Sequence, residues 1–242
     1  MSTSVSVQDF IDRQPRLAWR RRLVRGLIRT VGFRLLWRVE ATGLQHIPTS
    51  GPTILMMNHI SAIDPVVCMG IVTERFVIPM TKAEALSNPI MAPFVRMWGA
   101  YTINRGEVDR KALTNSIELL KSGQVILIAP EGTRHPEGLS RPKDGLAYIA
   151  SKADAYIIPT AVSDAERWGE RLKRLRRCTV RINFGRPFKF KTAGRRRLPR
   201  EELAAMTEEA MYQLALAVVD ESKRGVYTDV SKATTHYLEF TN

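Results

Sequence analysis

Short apolar runs separated by turn residues recur through the middle of the chain. They lie at residues 53–57 (TILMM), 75–80 (RFVIPM), 100–104 (AYTIN), 125–130 (VILIAP), 155–162 (AYIIPTAV) and 179–184 (TVRINF). Runs of this length that are apolar almost throughout are typical of strands buried on both faces of a sheet. The pattern therefore predicts six short, mostly buried strands.

The segments between several of these runs have helical periodicity. In residues 107–122, Leu113, Ile117 and Leu120 fall on one helical face, and Gly123 follows as a suitable C-terminal residue. Helices are also predicted at 88–98, 144–153 and 199–223. Alternating strands and helices favour an α/β fold in which a mostly parallel central sheet is flanked by helices.

An arginine-rich segment precedes the first strand. Between Arg13 and Val39 there are nine arginines and no Asp or Glu. At about 100° per residue, one broad face gathers apolar side chains and the opposite face gathers Arg22, Arg25 and Arg29. The apolar face consists of Leu17, Leu23, Val24, Leu27, Ile28, Val31 and Leu35. Because Trp19 and Trp37 lie near the two ends, the segment is predicted to be an amphipathic helix that lies in a membrane surface.

Two other interpretations of the positive charge stay open. The helix could pack its apolar stripe on the domain and leave its arginines in water, or it could contact the phosphates of a nucleic acid. The chain has no RNP-like aromatic pattern, zinc-finger spacing or basic-zipper heptads, so nucleic acid is not the expected partner. A second basic region, residues 167–200, is either a solvated surface or an extension of the surface that meets anionic lipid.

Composition limits the domain count and the class of partner. With 242 residues, 44% of them hydrophobic, the chain can bury one large core. We expect a membrane-association segment at 1–38, a catalytic domain at 39–225 and a loosely held C-terminal tail at 226–242, with residues 1–14 also loosely held. The 37 Lys and Arg against 24 Asp and Glu give a formal charge of +13, which favours anionic partners without choosing among lipid, phosphorylated metabolite and nucleic acid.

The cysteines and the termini bear on the compartment. Cys68 and Cys178 lack metal-ligand or CxxC spacing, so both are predicted to be reduced core residues of a protein in a reducing compartment. The N-terminal residues do not form a secretory signal. No run approaches about 18 apolar residues, so no transmembrane span is predicted, and no ligand cluster predicts a metal site.

The first candidate for chemistry is the stretch MMNHISAIDP, residues 56–65. Asp64 followed by Pro65 is a good helix start, which leaves residues 58–63 as the turn after a strand. His59 would then project at the carboxyl end of that strand, where open α/β sheets form ligand crevices. A neutral imidazole held by a carboxylate is a general base, so Asp64 is the candidate orienting group. The alternative is that His59 fills the turn and Asp64 only caps the helix.

A second strand end carries polar residues in the stretch VILIAPEGTRHPEG. Gly132 permits close approach of the backbone, Thr133 offers hydroxyl and amide donors, and Arg134 can bind two phosphate oxygens. Glu131 could bind a substrate hydroxyl or steady the basic groups. Arg105 and Lys143 are further cations, and each could equally be an ordinary surface residue.

Four blocks in order resemble the glycerolipid acyltransferase family typified by 1-acylglycerol-3-phosphate acyltransferases. Asn58, His59 and Asp64 match its NH-x4-D block, GAYTINR resembles the second block, PEGTR matches the third, and IIPTAV resembles the fourth. The resemblance covers roughly residues 39 to 162. The position after Arg134, often serine in that family, is His135 in this chain, which affects the acceptor pocket.

The resemblance implies an acyl transfer without a covalent acyl-enzyme. An acyl-CoA or acyl carrier protein would donate the acyl chain, lysophosphatidate would accept it, and His59, oriented by Asp64, would deprotonate the acceptor hydroxyl. Arg105 and Arg134 would hold the phosphate, with Lys82 or Lys143 as weaker candidates, while Asn58, Glu131, Gly132 and Thr133 would help position the acceptor. No metal or cofactor is implied, and no GxSxG elbow indicates a serine hydrolase.

The expected setting is the cytoplasmic face of a membrane, preferably an anionic one, with the protein peripheral or monotopic. Two alternatives remain at this point. The same chemistry could serve another acceptor, such as another lysophospholipid, glycerol 3-phosphate or a lyso-aminolipid. The chain could also be a basic module that binds lipid or nucleic acid without catalysis.

Overall fold

A computed structural model describes residues 7–82, 86, 87, 89, 91–103 and 110–241. Its strands are β1 Trp37–Thr42, β2 Thr53–Met57, β3 Val77–Lys82, β4 Tyr101–Ile103, β5 Val125–Ile128, β6 Tyr156–Ser163, β7 Cys178–Phe184, β8 Phe188–Phe190 and β9 Leu238–Phe240. Its α-helices are α1 Val7–Leu27, α2 Asp64–Ile71, α3 Met91–Trp98, α4 Arg110–Lys121, α5 Leu146–Ala153, α6 Trp168–Lys173 and α7 Arg200–Ala217.

The strands form one mixed sheet in the order β1-β7-β6-β2-β5-β3-β4. The centre is parallel: β2 pairs with β5 and β6, and β3 pairs with β5 and β4. β7 runs antiparallel to β6, and β1 is parallel to β7. The predicted α/β class and mostly parallel sheet are therefore confirmed, and the carboxyl ends of β2, β5 and β6 lie at one edge.

Each face of the sheet is covered by helices. Ile54 and Met56 of β2 point into a core with α4, α5 and α7, whereas Leu55 and Met57 point into a core with α2 and the N-terminal helix. All five residues of β2 are buried. Burial on both faces explains why the central strands are continuous apolar runs and not alternating ones.

Three strands lie outside the predicted set. β1 follows directly on the basic segment, while β8 and β9 form a short antiparallel extension beside β6. These strands carry charged residues such as Arg38, Glu40 and Lys189, so they do not form apolar runs. β3 begins at Val77 rather than Arg75. The Arg75 guanidinium bonds the carbonyls of Pro48, Gly51 and Gly123.

The prediction of a loosely held C-terminal tail is wrong. α7 ends at Ala217, before the predicted end at residue 223, and the chain continues through 3₁₀ segments within Glu221–Tyr227. Tyr227 and Leu238 are buried, and β9 pairs with β8. The Glu209 carboxylate accepts hydrogen bonds from Thr234, His236 and Tyr237, which ties the last segment to α7.

The N-terminal segment forms α1 and a π-helix, Ile28–Leu36, that continues it. The single apolar face expected from the sequence is divided between two surfaces. Val24 and Ile28 are buried against the core that contains α2, whereas Trp19, Leu23, Leu27, Val31 and Leu35 remain exposed. Within the described residues, no helix combines the length and hydrophobicity that a membrane span requires.

Candidate active site

The site lies where β2 and β5 end. Since the two strands are parallel, the turn after Met57 and the loop after Ile128 leave the sheet at the same edge. The loop donates a main-chain hydrogen bond from His135 N to the carbonyl of His59, 2.7 Å long. The two stretches singled out from the sequence are therefore in direct contact.

His59 and Asp64 form the pair that the sequence predicted. Nδ1 of His59 lies 3.0 Å from Oδ2 of Asp64. A carboxylate oxygen accepts at that position, so Nδ1 carries the proton and Nε2 is left as an acceptor. The imidazole is 22% exposed and the carboxylate is fully buried. This is the geometry of a general base held in one tautomer.

Asp64 orients more than the imidazole. Its Oδ2 also accepts from the N–H groups of Ile60 and Ser61, at 2.8 and 2.7 Å. The carboxylate thus folds back over the turn before α2 instead of capping the first turn of the helix, which corrects the predicted N-cap geometry. Burial raises the pKa of Asp64, and the hydrogen bonds from His59 and the two amides oppose that shift.

Glu131 holds the main chain of the site. Its Oε2 accepts from His59 N at 3.2 Å, and its Oε1 accepts from Ser140 N at 2.7 Å. The side chain is buried, and this burial raises the pKa of the carboxyl group. Glu131 thus fixes the position of His59 and of the loop, and its contact with a substrate hydroxyl stays a prediction.

Asn58 bonds the main chain of a neighbouring strand, and its predicted role in substrate binding stays a prediction. Its amide is buried and makes two hydrogen bonds with the main chain of Val162 in β6, one as a donor at 2.9 Å and one as an acceptor at 2.7 Å. The side chain therefore joins the end of β2 to the end of β6. It sets the direction in which the chain leaves the sheet immediately before His59.

The loop after β5 presents cations beside a glycine. Gly132 has φ +70°, and the Lys143 side chain crosses it so closely that a Cβ on residue 132 would lie 2.9 Å from Lys143 Cδ. Lys143 N donates to the carbonyl of Pro130 at 2.8 Å. Thr133 is half-buried and Arg134 is exposed. Lys143 and Arg134 are thus both carried by the loop that contacts His59.

Two of the predicted cations cannot be placed against the site. Lys82 is the last residue of β3, which runs parallel to β5, but its side chain lies outside the described part of the structure. Arg105 lies outside the described residues altogether. The predicted phosphate contacts of both residues stay predictions.

The C-terminal part of the chain supports this loop, which the sequence did not predict. Leu139 N donates to the carbonyl of Lys223, and Val226 N donates to the carbonyl of Leu139, each at 3.1 Å. Gly225, at φ +54°, is required there because a Cβ would lie 2.0 Å from the Leu139 carbonyl oxygen. The isolated glycine in a polar stretch was the only signal. His135 adds a second imidazole, with Nδ1 3.0 Å from Glu137 Oε1.

Comparison with known proteins connects this site to one group of enzymes. A family model described as Acyltransferase matches residues 38–163. The 1-acyl-sn-glycerol-3-phosphate acyltransferase of Streptococcus pneumoniae is 30% identical over 170 residues, covering 68% of this chain and 61% of that protein. The protein of the same name from Borreliella burgdorferi is 30% identical over 128 residues, covering 52% of this chain and 51% of that protein.

Two further similarities extend over more of the chains. The Bacillus subtilis protein of that name is 27% identical over 172 residues, which is 70% of this chain and 83% of its own. A crystal structure of the 1-acyl-sn-glycerophosphate acyltransferase from Thermotoga maritima superposes with a TM-score of 0.61 at 20% identity, over 91% of this chain and 83% of that one. The chain spans between half and two thirds of the length of the Borreliella and Streptococcus relatives.

Proposed function

Because this chain belongs to the acyltransferase family, we propose that it is a 1-acylglycerol-3-phosphate O-acyltransferase. It would transfer an acyl chain from acyl-CoA or acyl carrier protein to the free hydroxyl of lysophosphatidate, giving phosphatidate. The observation that carries the proposal is the His59 imidazole, fixed by Asp64 with its second nitrogen free to accept a proton. The relatives named for the same reaction support the choice of acceptor.

In the proposed mechanism, Nε2 of His59 takes the proton of the acceptor hydroxyl as the oxygen attacks the thioester carbonyl. The buried Asp64 carboxylate stabilises the imidazolium that forms. Collapse of the tetrahedral intermediate breaks the C–S bond, and the imidazolium returns the proton to the departing thiolate. The products are an ester and a free thiol, and no acyl-enzyme is formed.

The acceptor phosphate would be held by the cations of the loop after β5. Arg134 can bind two phosphate oxygens through its planar guanidinium, and Lys143 supplies a second charge beside Gly132. Lys82 and Arg105 remain proposed contributors from the ends of β3 and β4. Gly132, which the Lys143 side chain crosses, and Thr133 would help position the glycerol part of the acceptor.

We also propose that the enzyme works at the cytoplasmic face of a membrane as a peripheral or monotopic protein. Trp19, Leu23, Leu27, Val31 and Leu35 form an exposed apolar stripe at four-residue spacing. Exposed arginines, including Arg20, Arg22 and Arg34, lie around it. An apolar stripe bordered by arginine fits the boundary between anionic headgroups and acyl chains, where both the acceptor and the product reside.

The test is release of thiol when the purified protein meets acyl-CoA and lysophosphatidate. His59→Ala should reduce the rate by about 10²–10⁴-fold, the usual contribution of a general base, without changing the unfolding temperature by more than a few degrees. His236→Ala is the matched control, because that histidine is exposed and lies near the C-terminus. Full activity in His59→Ala would remove the imidazole from the mechanism.

A panel of acceptors decides the identity of the substrate. Lysophosphatidate, other lysophospholipids, glycerol 3-phosphate and a lyso-aminolipid should be compared with both acyl donors. Arg134→Ala should raise KM for phosphate monoester acceptors more than it lowers kcat, because the guanidinium binds the headgroup and not the reacting oxygen. Tight binding of oligonucleotides without thiol release would contradict the enzymatic proposal.

A further inference from the structure

The connection between β6 and β7 lies at the same edge of the sheet as the candidate active site. β6 is parallel to β2, so its carboxyl end lies beside the end of the strand that carries His59. β7 is antiparallel to β6 and begins at that edge. The connecting residues therefore lie at the same edge of the sheet as the loop after β5.

Residues 170–177, which are the last turn of α6 and the residues that follow it and which we call the basic loop, are all exposed. Leu172 and Leu175 are among them, and Leu175 is 94% exposed. The backbone of Leu175 has φ +51°, in the left-handed region that disfavours a branched side chain. The left-handed turn closes the end of α6 through hydrogen bonds from Leu175 N to Leu172 O and from Arg176 N to Arg171 O. It holds the leucine side chain in water, so a partner outside the chain could bury it.

The basic loop is strongly positive. It contains Arg171, Lys173, Arg174, Arg176 and Arg177, and its single acidic residue is Glu170. The acids immediately before it are engaged elsewhere: Asp164 pairs with Arg181 at 2.6 Å, and Glu166 lies 3.8 Å from Lys223. Neither carboxylate therefore neutralises the loop, and the surface it presents is two leucines among five cations.

The basic loop is joined to the end of the N-terminal helical segment. Nη2 of Arg177 donates to the carbonyl of Phe33 at 2.6 Å and to that of Trp37 at 3.2 Å. Phe33 lies between Val31 and Leu35, the last two residues of the exposed apolar stripe. The loop therefore lies beside the end of the helical segment that carries the stripe.

We infer that the basic loop is a second membrane contact, in which Leu172 and Leu175 enter an anionic phospholipid surface and the surrounding cations bind its headgroups. The inference rests on the membrane association in the proposed function. It adds a contact at the edge of the sheet where the substrate enters. The leucines favour lipid over nucleic acid. The phosphates of a nucleic acid would be bound by the cations alone, and exposed leucines would add nothing to that contact.

Vesicle flotation of the full chain tests the inference. The vesicles would be phosphatidylcholine with and without phosphatidylglycerol. Leu175→Asn removes the apolar side chain while keeping a residue that tolerates the left-handed conformation, and it should weaken binding to the anionic vesicles by about tenfold. Arg174→Ser combined with Arg176→Ser should weaken binding to them by about thirtyfold, since each cation near an anionic surface contributes about fivefold.

Matched controls lie at the opposite edge of the sheet. Leu44 is an exposed leucine that follows β1, and Arg196 and Arg197 are exposed arginines between β8 and α7. Leu44→Ser, and Arg196→Ser combined with Arg197→Ser, remove the same chemistry from a surface that would not face the membrane. Both controls should change vesicle binding by less than about twofold. Equal losses in control and loop variants would overturn the inference.

Insertion can be measured separately from electrostatic attraction. Cys68 and Cys178 are both buried, so Leu175→Cys introduces a thiol that an environment-sensitive fluorophore can label selectively. On addition of anionic vesicles its emission should shift to the blue, whereas the same label at Leu44→Cys should not shift. If the emission of the label at position 175 did not shift, the insertion of Leu175 into the membrane would be contradicted.

Failure of the inference is distinguishable from failure of the proposed function. Thiol release from acceptor dispersed in detergent should be unchanged in Leu175→Asn, because no residue of the basic loop is assigned to the chemistry. If thiol is released but the loop variants bind vesicles like the wild-type chain, the inference alone is wrong. If the loop variants lose oligonucleotide binding and keep vesicle binding, a nucleic-acid contact replaces it.

Discussion

The buried carboxylate of Asp64 is the residue on which the proposed chemistry depends. Oδ2 accepts hydrogen bonds from His59 and from two main-chain amides, whereas Oδ1 is buried without a hydrogen-bond partner among the described residues. An asparagine oxygen could replace Oδ2 and keep all three bonds, with its NH₂ group at the position of Oδ1. Asp64→Asn would then remove the negative charge and retain the imidazole tautomer.

Asp64→Asn should lower kcat by roughly 10²-fold, because the imidazolium loses its stabilising charge. The same variant should change the pH dependence of stability. Burial raises the pKa of Asp64, so the ionised carboxyl group destabilises the fold at neutral pH. This destabilisation is lost as the pH falls from the raised pKa of the folded chain to the pKa of the same group in the unfolded chain. The wild-type chain should therefore gain stability relative to Asp64→Asn on acidification, as measured by thermal unfolding.

Asp220→Asn is the control, because its effect on the pH dependence of stability should have the opposite sign. Hydrogen bonds from Ser222 lower the pKa of Asp220, so its contribution to stability is present above its usual pKa and is lost as pH falls. Relative to that variant, the wild-type chain should lose stability on acidification. The same pH trend in both comparisons would contradict the assignment for Asp64.

The sequence predicted the His59 and Asp64 pair because both residues lie in one short turn. The roles of Asn58 and Glu131 could not be predicted in the same way. Glu131 is 72 positions from the amide of His59, and Asn58 is 104 positions from Val162. Their partners are main-chain groups of a distant strand, turn and loop, and a motif identifies polar side chains without indicating whether they bind substrate or backbone.

At the scale of the element, the N-terminal helical segment shows why part of one predicted apolar face is buried against the domain and part of it is exposed. In an α-helix, four residues advance by about 400°, so a stripe at four-residue spacing drifts by about 40° per step. The π-helix over Ile28–Leu36 is wound more widely, and the drift there reverses. Val31 and Leu35 therefore stay exposed alongside Leu23 and Leu27. Periodicity at 100° per residue could not show this change.

Arg21 fastens this element to the domain. It is buried; its Nε donates to the carbonyl of Trp98 at 2.6 Å and its Nη2 to Gln14 Oε1. Desolvation lowers its pKa to about 10, so it remains charged at neutral pH. Arg21→Ala should cost about 3 kcal/mol, through a cavity and an unpaired Trp98 carbonyl. The temperature of thermal unfolding should fall by about 6 to 12 °C.

The neighbouring arginine supplies the control for that element. Arg22 is exposed, so Arg22→Ala should stay within about 0.5 kcal/mol of the wild-type chain. Arg21→Met, which fills most of the cavity without the charge, should fall between the two. If Arg21→Ala and Arg22→Ala unfolded at the same temperature, the helix would be held by its apolar contacts alone.

At the scale of the whole molecule, the alternation of strands and helices predicted the layers of the fold but not the order of its strands. The crossovers that place β2 between β5 and β6 leave no local mark on the sequence. The tail was misjudged for a related reason. Its anchors, Tyr227 and Leu238, lie in short apolar stretches whose partners are in α7 and β8, and stretches this short do not by themselves indicate burial.

The exposed stripe makes the whole molecule's orientation at a membrane testable. Leu23→Ser combined with Leu27→Ser should weaken vesicle binding by roughly tenfold per leucine, because each side chain loses its burial among acyl chains. Activity on lysophosphatidate in vesicles should fall by a similar factor, while activity on acceptor dispersed in detergent stays unchanged. Leu216→Ser is the control, since that exposed leucine lies on α7 on the other face of the sheet. If the double variant lost activity in detergent as well, these leucines would be supporting the fold or the site rather than binding the membrane.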